Sequence, residues 1–352
     1  MGSAVGSKKF KVALIQMKPK VLDPEYNFAH AKSELTKAAE GGASLAILPE
    51  YHLTGWEPRN PKFAELANDA HKYQKQYQDL AKELKINICA GTICHTAPQQ
   101  ANNGTSEAKA VANAKPTLLN ICAFISYTGE LLGTYIKANL WIPEREHLTS
   151  SIAYAQSSNS TATSAPPASK SQTAKDLQHA GVAHSEPSNP PMTPHEVIQT
   201  PLGNIGVLIC WDLAFPEAFR SLIRQDCKII MIPTFWKQDD MMPAGLEINP
   251  DAEKLFLEST LVARAYENTC TIIFCNAGGP KEEGYLGLSG VYAPILGRVK
   301  GSFTDGEEGM RIVEVDLGIQ ELAEQNYRVR EDMKGDDWHY GYEKIENRGR
   351  RT

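Results

Sequence analysis

The sequence predicts a layered α/β fold, and three observations carry that prediction. Short apolar runs alternate with segments whose apolar residues recur at helical spacing. Two pairs of runs are close enough across turn residues to form hairpins. The composition, 42% hydrophobic against 22% charged over 352 residues, suits a chain that buries a full core. Crossovers and hairpins in one chain imply a mixed sheet.

In chain order, "FKVALIQM" reads as the first strand. Phe28, Ala31, Leu35 and Ala38 then mark a helix that Gly41 and Gly42 stop. "SLAILPE" is the next strand, and Phe63, Leu66, Ala70, Tyr73, Tyr77, Leu80 and Leu84 define one face of a single long helix leading into the strand "INICAGTI". "TLLNICAFIS" and "ELLGTYIK" flank Thr128 and Gly129 as a hairpin. "EVIQTPLGNIGVLIC" reads as two strands around a Gly-Asn turn, "FPEAFRSLIRQ" as a helix and "KIIMIPTFW" as a strand. A helix near 250–267, the strand "CTIIFCNAGG" and a strand pair around "APILGRV" complete the series. Residues 151–194 stand apart, rich in Ser, Thr, Ala and Pro and poor in large apolar side chains. Such a stretch cannot offset its ordering entropy by burial, which predicts a disordered or loosely packed surface insertion in one domain.

A formal net charge of −6 without a long basic block argues against nucleic acid as a partner. The apolar run near the N-terminus is short for a signal peptide, and no later run approaches the roughly 20 residues of a membrane helix. A cytoplasmic protein that does not engage membranes is therefore expected. Seven cysteines scattered through apolar runs predict reduced thiols. Cys89 with Cys94, and Cys270 with Cys275, are each five positions apart in a strand and should point to opposite faces, which argues against a shared metal.

Ligands in layered α/β folds gather beyond the carboxyl ends of strands, and three such ends carry unusual residues. Glu50 follows "LAILP", Lys137 follows "GTYI" and Cys210 follows "GVLI". Singly, they could be a solvated loop acid, an edge-strand lysine and a small core residue. Together they form a chemical set. A thiol must lose its proton to attack a carbonyl carbon, and Lys137 with a helix N-terminus after Trp211 would favour the thiolate. Glu50 could take that proton and pass it to a leaving amine. Lys137 and the N–H after the cysteine could stabilise the oxyanion. His52, two places after Glu50, would leave Lys137 unexplained as part of a Cys/His pair and reads as a satisfied loop residue.

With these residues in place, the sequence resembles the nitrilase-like carbon-nitrogen hydrolases from about Lys11 to about Asp316. "LPE" at 48–50, "YIKANL" at 135–140 and "CWDLAFPE" at 210–217 occur in that family's order, supported by "ARAYEN" at 263–268, Asn276 and "GLSGVYAPILGRV" at 287–299. The resemblance implies a four-layer α-β-β-α sandwich with two mixed β-sheets. Its hydrolase domain would span 9–318, with a C-terminal extension at 319–352 that could stabilise a dimer. It further implies Glu50 as base, Lys137 as oxyanion stabiliser and Cys210 as nucleophile, without metal or organic cofactor. A second glutamate follows the lysine in many members; Glu144 matches better, and Glu146 is the alternative. Members also tend to form homodimers through helices beside the nucleophile.

"CWD" followed by "FPE" looks like the amidase and carbamoylase branches, whereas nitrilases usually carry glutamate where Asp212 stands. The resemblance therefore implies hydrolysis of a small carboxamide or N-carbamoyl compound through a Cys210 thioester. Nitrile hydrolysis, acyl transfer from the same thioester, and a catalytically idle dimeric scaffold are the alternatives. Trp211, Tyr51, Trp141 and Phe235 are the candidate substrate contacts, with Trp56 and Trp236 nearby, and Arg264 with Glu267 reads as a structural ion pair.

Overall fold

A computed structural model describes residues 9–97, 116–162, 194–336 and 338–340. The first half contributes β1 (Lys9–Gln16), α1 (Pro24–Glu40), β2 (Leu45–Ile47), α2 (Pro61–Leu66), α3 (Ala70–Leu84), β3 (Asn87–Thr96), β4 (Leu118–Ile125), β5 (Leu131–Ile136) and α4 (Ser151–Ala162). The second contributes β6 (Ile198–Thr200), β7 (Gly203–Val207), α5 (Pro216–Ile223), β8 (Ile229–Thr234), α6 (Pro243–Ile248), α7 (Ala252–Glu267), β9 (Thr271–Asn276), β10 (Gly290–Ala293), β11 (Gly297–Arg298), β12 (Gly309–Asp316), α8 (Leu317–Tyr327) and α9 (Val329–Asp332).

Two six-stranded sheets result, ordered β12-β1-β2-β3-β4-β5 and β11-β10-β9-β8-β7-β6. Both are mixed. Parallel pairs (β1/β2, β2/β3; β7/β8, β8/β9) form their centres, and antiparallel strands flank them. Alternation along β1 explains the layering: Val12 and Leu14 join the core cluster that includes Val207, Met231 and Ile273 of the other sheet, while Ala13 and Ile15 pack with Leu35 of α1 and Tyr77 of α3. Cys275 of β9 ties the sheets face to face, its thiol donating to the carbonyls of Ile15 and Ile47 at 3.3 Å each. Leu222 of α5 and Leu261 of α7, both fully buried, cover the second sheet. Helix, sheet, sheet and helix make the four layers.

Several expectations need correction. The helix expected across 63–84 is broken: Ala67–Asp69 tighten into a 3₁₀ turn between α2 and α3, where Asn68 and Asp69 are poor helix formers. The second hairpin turns at Pro201 and Leu202, with Thr200 opposite Gly203, two residues before the expected Gly203-Asn204 turn. Cys89 and Cys94 share a face. Cys89 pairs with Phe124 and Cys94 with Asn120, four residues apart on β4, because a β-bulge between Cys89 and Thr92 adds a residue at Gly91.

The stretch treated as a loose insertion begins as α4, where Tyr154 packs on Ala97, Leu119 and Ile136; residues 163–193 lie outside the described residues. The boundary expected at 318 falls inside α8. Beyond it, Arg330 donates to the carbonyls of Cys227 (2.7 Å) and Thr269 (3.2 Å), so this segment is packed onto the second sheet's loops.

Candidate active site

Glu50 owes its position to Pro49 and Gly91. Proline has no N–H to continue the ladder, so β2 ends at Ile47 and the chain leaves toward the second sheet, where the Glu50 N–H reaches the Thr234 carbonyl at 3.3 Å. Gly91 sits at φ +60°, and a Cβ there would stand 2.2 Å from the Pro49 carbonyl oxygen. The buried Glu50 carboxylate accepts from Lys137 Nζ (2.9 Å) and Asn120 Nδ2 (2.8 Å) on Oε1 and from the Phe235 N–H (3.0 Å) on Oε2.

Lys137 follows β5, its own N–H tied to the Asn120 carbonyl at 3.0 Å. Its buried ammonium also reaches Glu144 Oε1 at 2.7 Å. Glu144 lies in the 3₁₀ turn Ile142–Glu146, where Oε2 accepts the Trp141 N–H at 2.8 Å and Oε1 accepts the Tyr51 hydroxyl. Glu146 is exposed. Of the two glutamates, Glu144 alone is brought to Lys137.

Cys210 opens the 3₁₀ turn Cys210–Ala214 at φ +47°, a left-handed conformation uncommon for a residue with a side chain. Its thiol is buried and lines the same cavity as Glu50, whose charge acts on it. The four functional groups thus come from three connections, those after β2, β5 and β7, at the strand ends that the sequence singled out.

Burial is the strongest influence on Glu50, Lys137 and Cys210. Desolvation raises Glu50 from 4.5 to about 7; the Lys137 ammonium opposes that rise and the Glu144 carboxylate adds to it. Burial alone would lower Lys137, yet Glu144 and Glu50 together hold it protonated well above the usual lysine range. Burial and the Glu50 carboxylate push the Cys210 thiol well above its usual range, outweighing Lys137. Lys137 does favour the thiolate, as expected, but burial and Glu50 outweigh it and the balance lies toward the thiol. The arrangement can move a proton between sulfur and carboxylate while an ammonium waits for developing negative charge.

These groups line a cavity of about 510 Å³ whose walls include Tyr51, Trp56, Trp141, Trp211, Phe235 and Trp236. All four candidate substrate contacts reach it, and three also support the carboxylates: Tyr51 by its hydroxyl, and Trp141 and Phe235 by their N–H groups. Asn120, which also donates to the Tyr51 hydroxyl at 3.0 Å, is a site residue that sequence reasoning missed. Its signal was an amide inside the apolar run "LLNICAFI", a burial that demands a partner.

His52 lies away from these groups, its Nε2 2.7 Å from the Tyr77 hydroxyl, and burial lowers it to about 3, so it stays neutral. Arg264 pairs with Glu267 at 2.9 Å, as expected. Among the described residues no helix is long and apolar enough to cross a membrane.

The family model described as carbon-nitrogen hydrolase matches residues 11–324. A protein described as a probable nitrilase, from Schizosaccharomyces pombe, is 24% identical over 324 residues, covering 91% of this chain and 93% of the relative. A chloroplastic omega-amidase of Arabidopsis thaliana is 23% identical over 337 residues, covering 93% of this chain and 73% of the relative. Among solved structures, Nit3 of Saccharomyces cerevisiae, a member of branch 10 of the nitrilase superfamily, superposes with a TM-score of 0.63 at 19% identity, covering 93% of this chain and 97% of that one. An amidase from Nesterenkonia sp. AN1, carrying an acrylamide adduct at its active-site cysteine, superposes with a TM-score of 0.59 at 18% identity, covering 87% and 93%.

Proposed function

Because the chain belongs to the carbon-nitrogen hydrolase family, enzymes acting on C–N bonds other than peptide bonds, we propose that it hydrolyses a small carboxamide or N-carbamoyl compound through a thioester on Cys210. The observation that carries this reading is the meeting of Cys210, Glu50, Lys137 and Glu144 at one aromatic-walled cavity. In the proposed cycle, Glu50 takes the thiol proton as sulfur attacks the carbonyl carbon. Negative charge builds on the carbonyl oxygen, where the Lys137 ammonium and the Trp211 N–H are the donors. Glu50 then protonates the departing nitrogen, the C–N bond breaks, and ammonia or an amine leaves a thioester. Water, giving its proton to Glu50, attacks the thioester. The acid leaves and the thiol recovers the proton. Glu144 keeps Lys137 aimed at the reacting oxygen.

Asp212 in "CWD" supports an amide over a nitrile, whereas the description of the S. pombe relative favours the nitrile, which stands as the second reading. The test is ammonia release by the protein and by Cys210→Ala across short carboxamides, N-carbamoyl amino acids and nitriles, with intact-mass detection of an acyl adduct. Turnover and an adduct in the parent alone are expected. Turnover by folded Cys210→Ala would overturn the mechanism, and turnover of nitriles alone would move the enzyme to the second reading.

A further inference from the structure

Asp212 has so far served only to distinguish branches, yet its carboxylate is fully buried and accepts four hydrogen bonds. Oδ1 takes the Asn139 N–H at 2.9 Å and Asn139 Nδ2 at 2.8 Å. Oδ2 takes the Ile209 N–H at 2.9 Å and the Tyr135 hydroxyl at 2.9 Å. None of the four donors is a lysine or arginine, so neutral groups make all four of these hydrogen bonds.

The positions of those donors give the carboxylate its meaning. Tyr135 and Asn139 stand two residues before and two after Lys137, and Ile209 immediately precedes Cys210. The Asp212 N–H also returns to the Ile209 carbonyl at 3.0 Å, closing the turn that holds Cys210 at φ +47°. A left-handed φ on a residue with a side chain persists only where its surroundings over-determine it. One carboxylate thus grips the lysine segment on both sides of its ammonium and closes the turn that carries the thiol. The two segments belong to different sheets, β5 to the first and β7 to the second.

We propose that Asp212 is a positioning residue that sets the placement of the Cys210 thiol relative to the Lys137 ammonium, the groups that must meet the carbon and the oxygen of one carbonyl. This rests on the function proposed above, but its test need not. In Asp212→Asn the size is kept, while the amide NH₂ must face either both donors of Asn139 or the Ile209 N–H. Misplacement of reacting groups by an ångström lowers turnover about 100-fold. Asp212→Asn is therefore expected to lose about that factor in kcat with KM within about threefold, the signature of an interaction that serves the transition state.

The readout independent of substrate is the rate at which iodoacetamide alkylates each thiol, resolved by peptide mass spectrometry. All seven cysteines are buried. General loosening would speed alkylation of several of them, whereas lost alignment of sulfur with its base slows Cys210 alone, by an expected tenfold or more relative to the parent. Tyr135→Phe and Asn139→Ala each remove one side-chain donor and should slow Cys210 by about three- to tenfold, which decides the matter if Asp212→Asn fails to fold. Unchanged or faster alkylation of Cys210 in a folded Asp212→Asn protein, or in both milder variants, would overturn the proposal. Should no substrate be turned over, slowed alkylation would still establish the positioning role while the proposed reaction failed.

Discussion

Lys137 stands 2.7 Å from Glu144, closer than the 2.9 Å separating it from Glu50. One buried ammonium therefore serves two buried carboxylates, an arrangement short of one positive charge. The shortage is met by hydrogen bonds from Asn120, Phe235, Trp141 and Tyr51, and by a proton on Glu50 for part of the neutral range. A Glu50 carboxyl raised to about 7, chiefly by burial, fits that imbalance and suits the base proposed above. If Lys137 paired with Glu50 alone, the carboxylate would be held lower and the thiol would face a weaker base.

The pH profile follows. In the proposed cycle Glu50 is the base and must be deprotonated, and its carboxyl is raised to about 7, so kcat/KM should rise with pH through about 7, where an ordinary glutamate would be fully ionised. Cys210 is pushed well above its ordinary range and Lys137 well above 10.5, so the profile should stay flat to about pH 9. Initial rates from pH 5 to 9 measure this. An acid limb below pH 5, or a rise centred on an ordinary thiol near pH 8.5, would remove Glu50 from the role of base.

Glu144 and Glu146 separate cleanly. Glu144→Gln keeps the shape but removes the charge that aims Lys137, and it leaves a donor where the Tyr51 hydroxyl, the ammonium or the Trp141 N–H expects an acceptor. Loss of one buried charge-assisted contact at an oxyanion site lowers kcat by about 100-fold or more, while the exposed Glu146→Gln should stay within about twofold of the parent. Steady-state kinetics on both variants, with melting curves as the folding control, decide it; equal losses would return the assignment to question.

The strand-end residues were readable because a carboxylate, an ammonium and a thiol, each ordinary alone, make a chemical set when they follow three apolar runs. Glu50, Lys137 and Cys210 stood out on that ground, and the motifs around them pointed to one family. What alternation could not show was the bulge at Gly91, a single extra residue that turns Cys94 to the face carrying Cys89. Asn120 and Asp212 were visible as letters, but their meaning lay in partners 70 and 73 positions away in sequence, Glu50 and Asn139, which only the packing of the two sheets brings together. The break between α2 and α3 was hidden by an apolar stripe that continues across it.

Trp211 offers a test of the cavity wall. Its ring stacks on Phe256 at 6.4 Å between centroids and tilts against Trp236 at 5.6 Å, so it is held in place before any substrate arrives. Trp211→Ala keeps the backbone N–H proposed for the oxyanion and removes apolar wall. KM should rise by about tenfold or more while kcat falls by less than about threefold, the pattern of lost uniform binding. A fall in kcat at constant KM would instead place the ring in the support of the nucleophile turn.

Gly91 tests how the fold holds its base. At φ +60° an added Cβ would stand 2.2 Å from the Pro49 carbonyl oxygen and 2.8 Å from His52 Nδ1, so Gly91→Ala must displace the segment that carries Glu50. Left-handed strain and the overlap together should cost about 2–4 kcal/mol, lowering Tm by several degrees and slowing turnover in the protein that remains folded. Gly42 separates strain from displacement. It has φ +76°, and an added Cβ there would meet nothing within 4 Å, so Gly42→Ala carries the strain alone, about 1 kcal/mol, far from the site. Melting curves with kinetics on both variants give the comparison. If Gly91→Ala loses stability but keeps the parent's kcat, Glu50 is held by Asn120, Lys137 and Phe235 without help from the bulge. If both measures fall for Gly91→Ala and only stability for Gly42→Ala, the missing Cβ at residue 91 is part of what holds the base at the thiol.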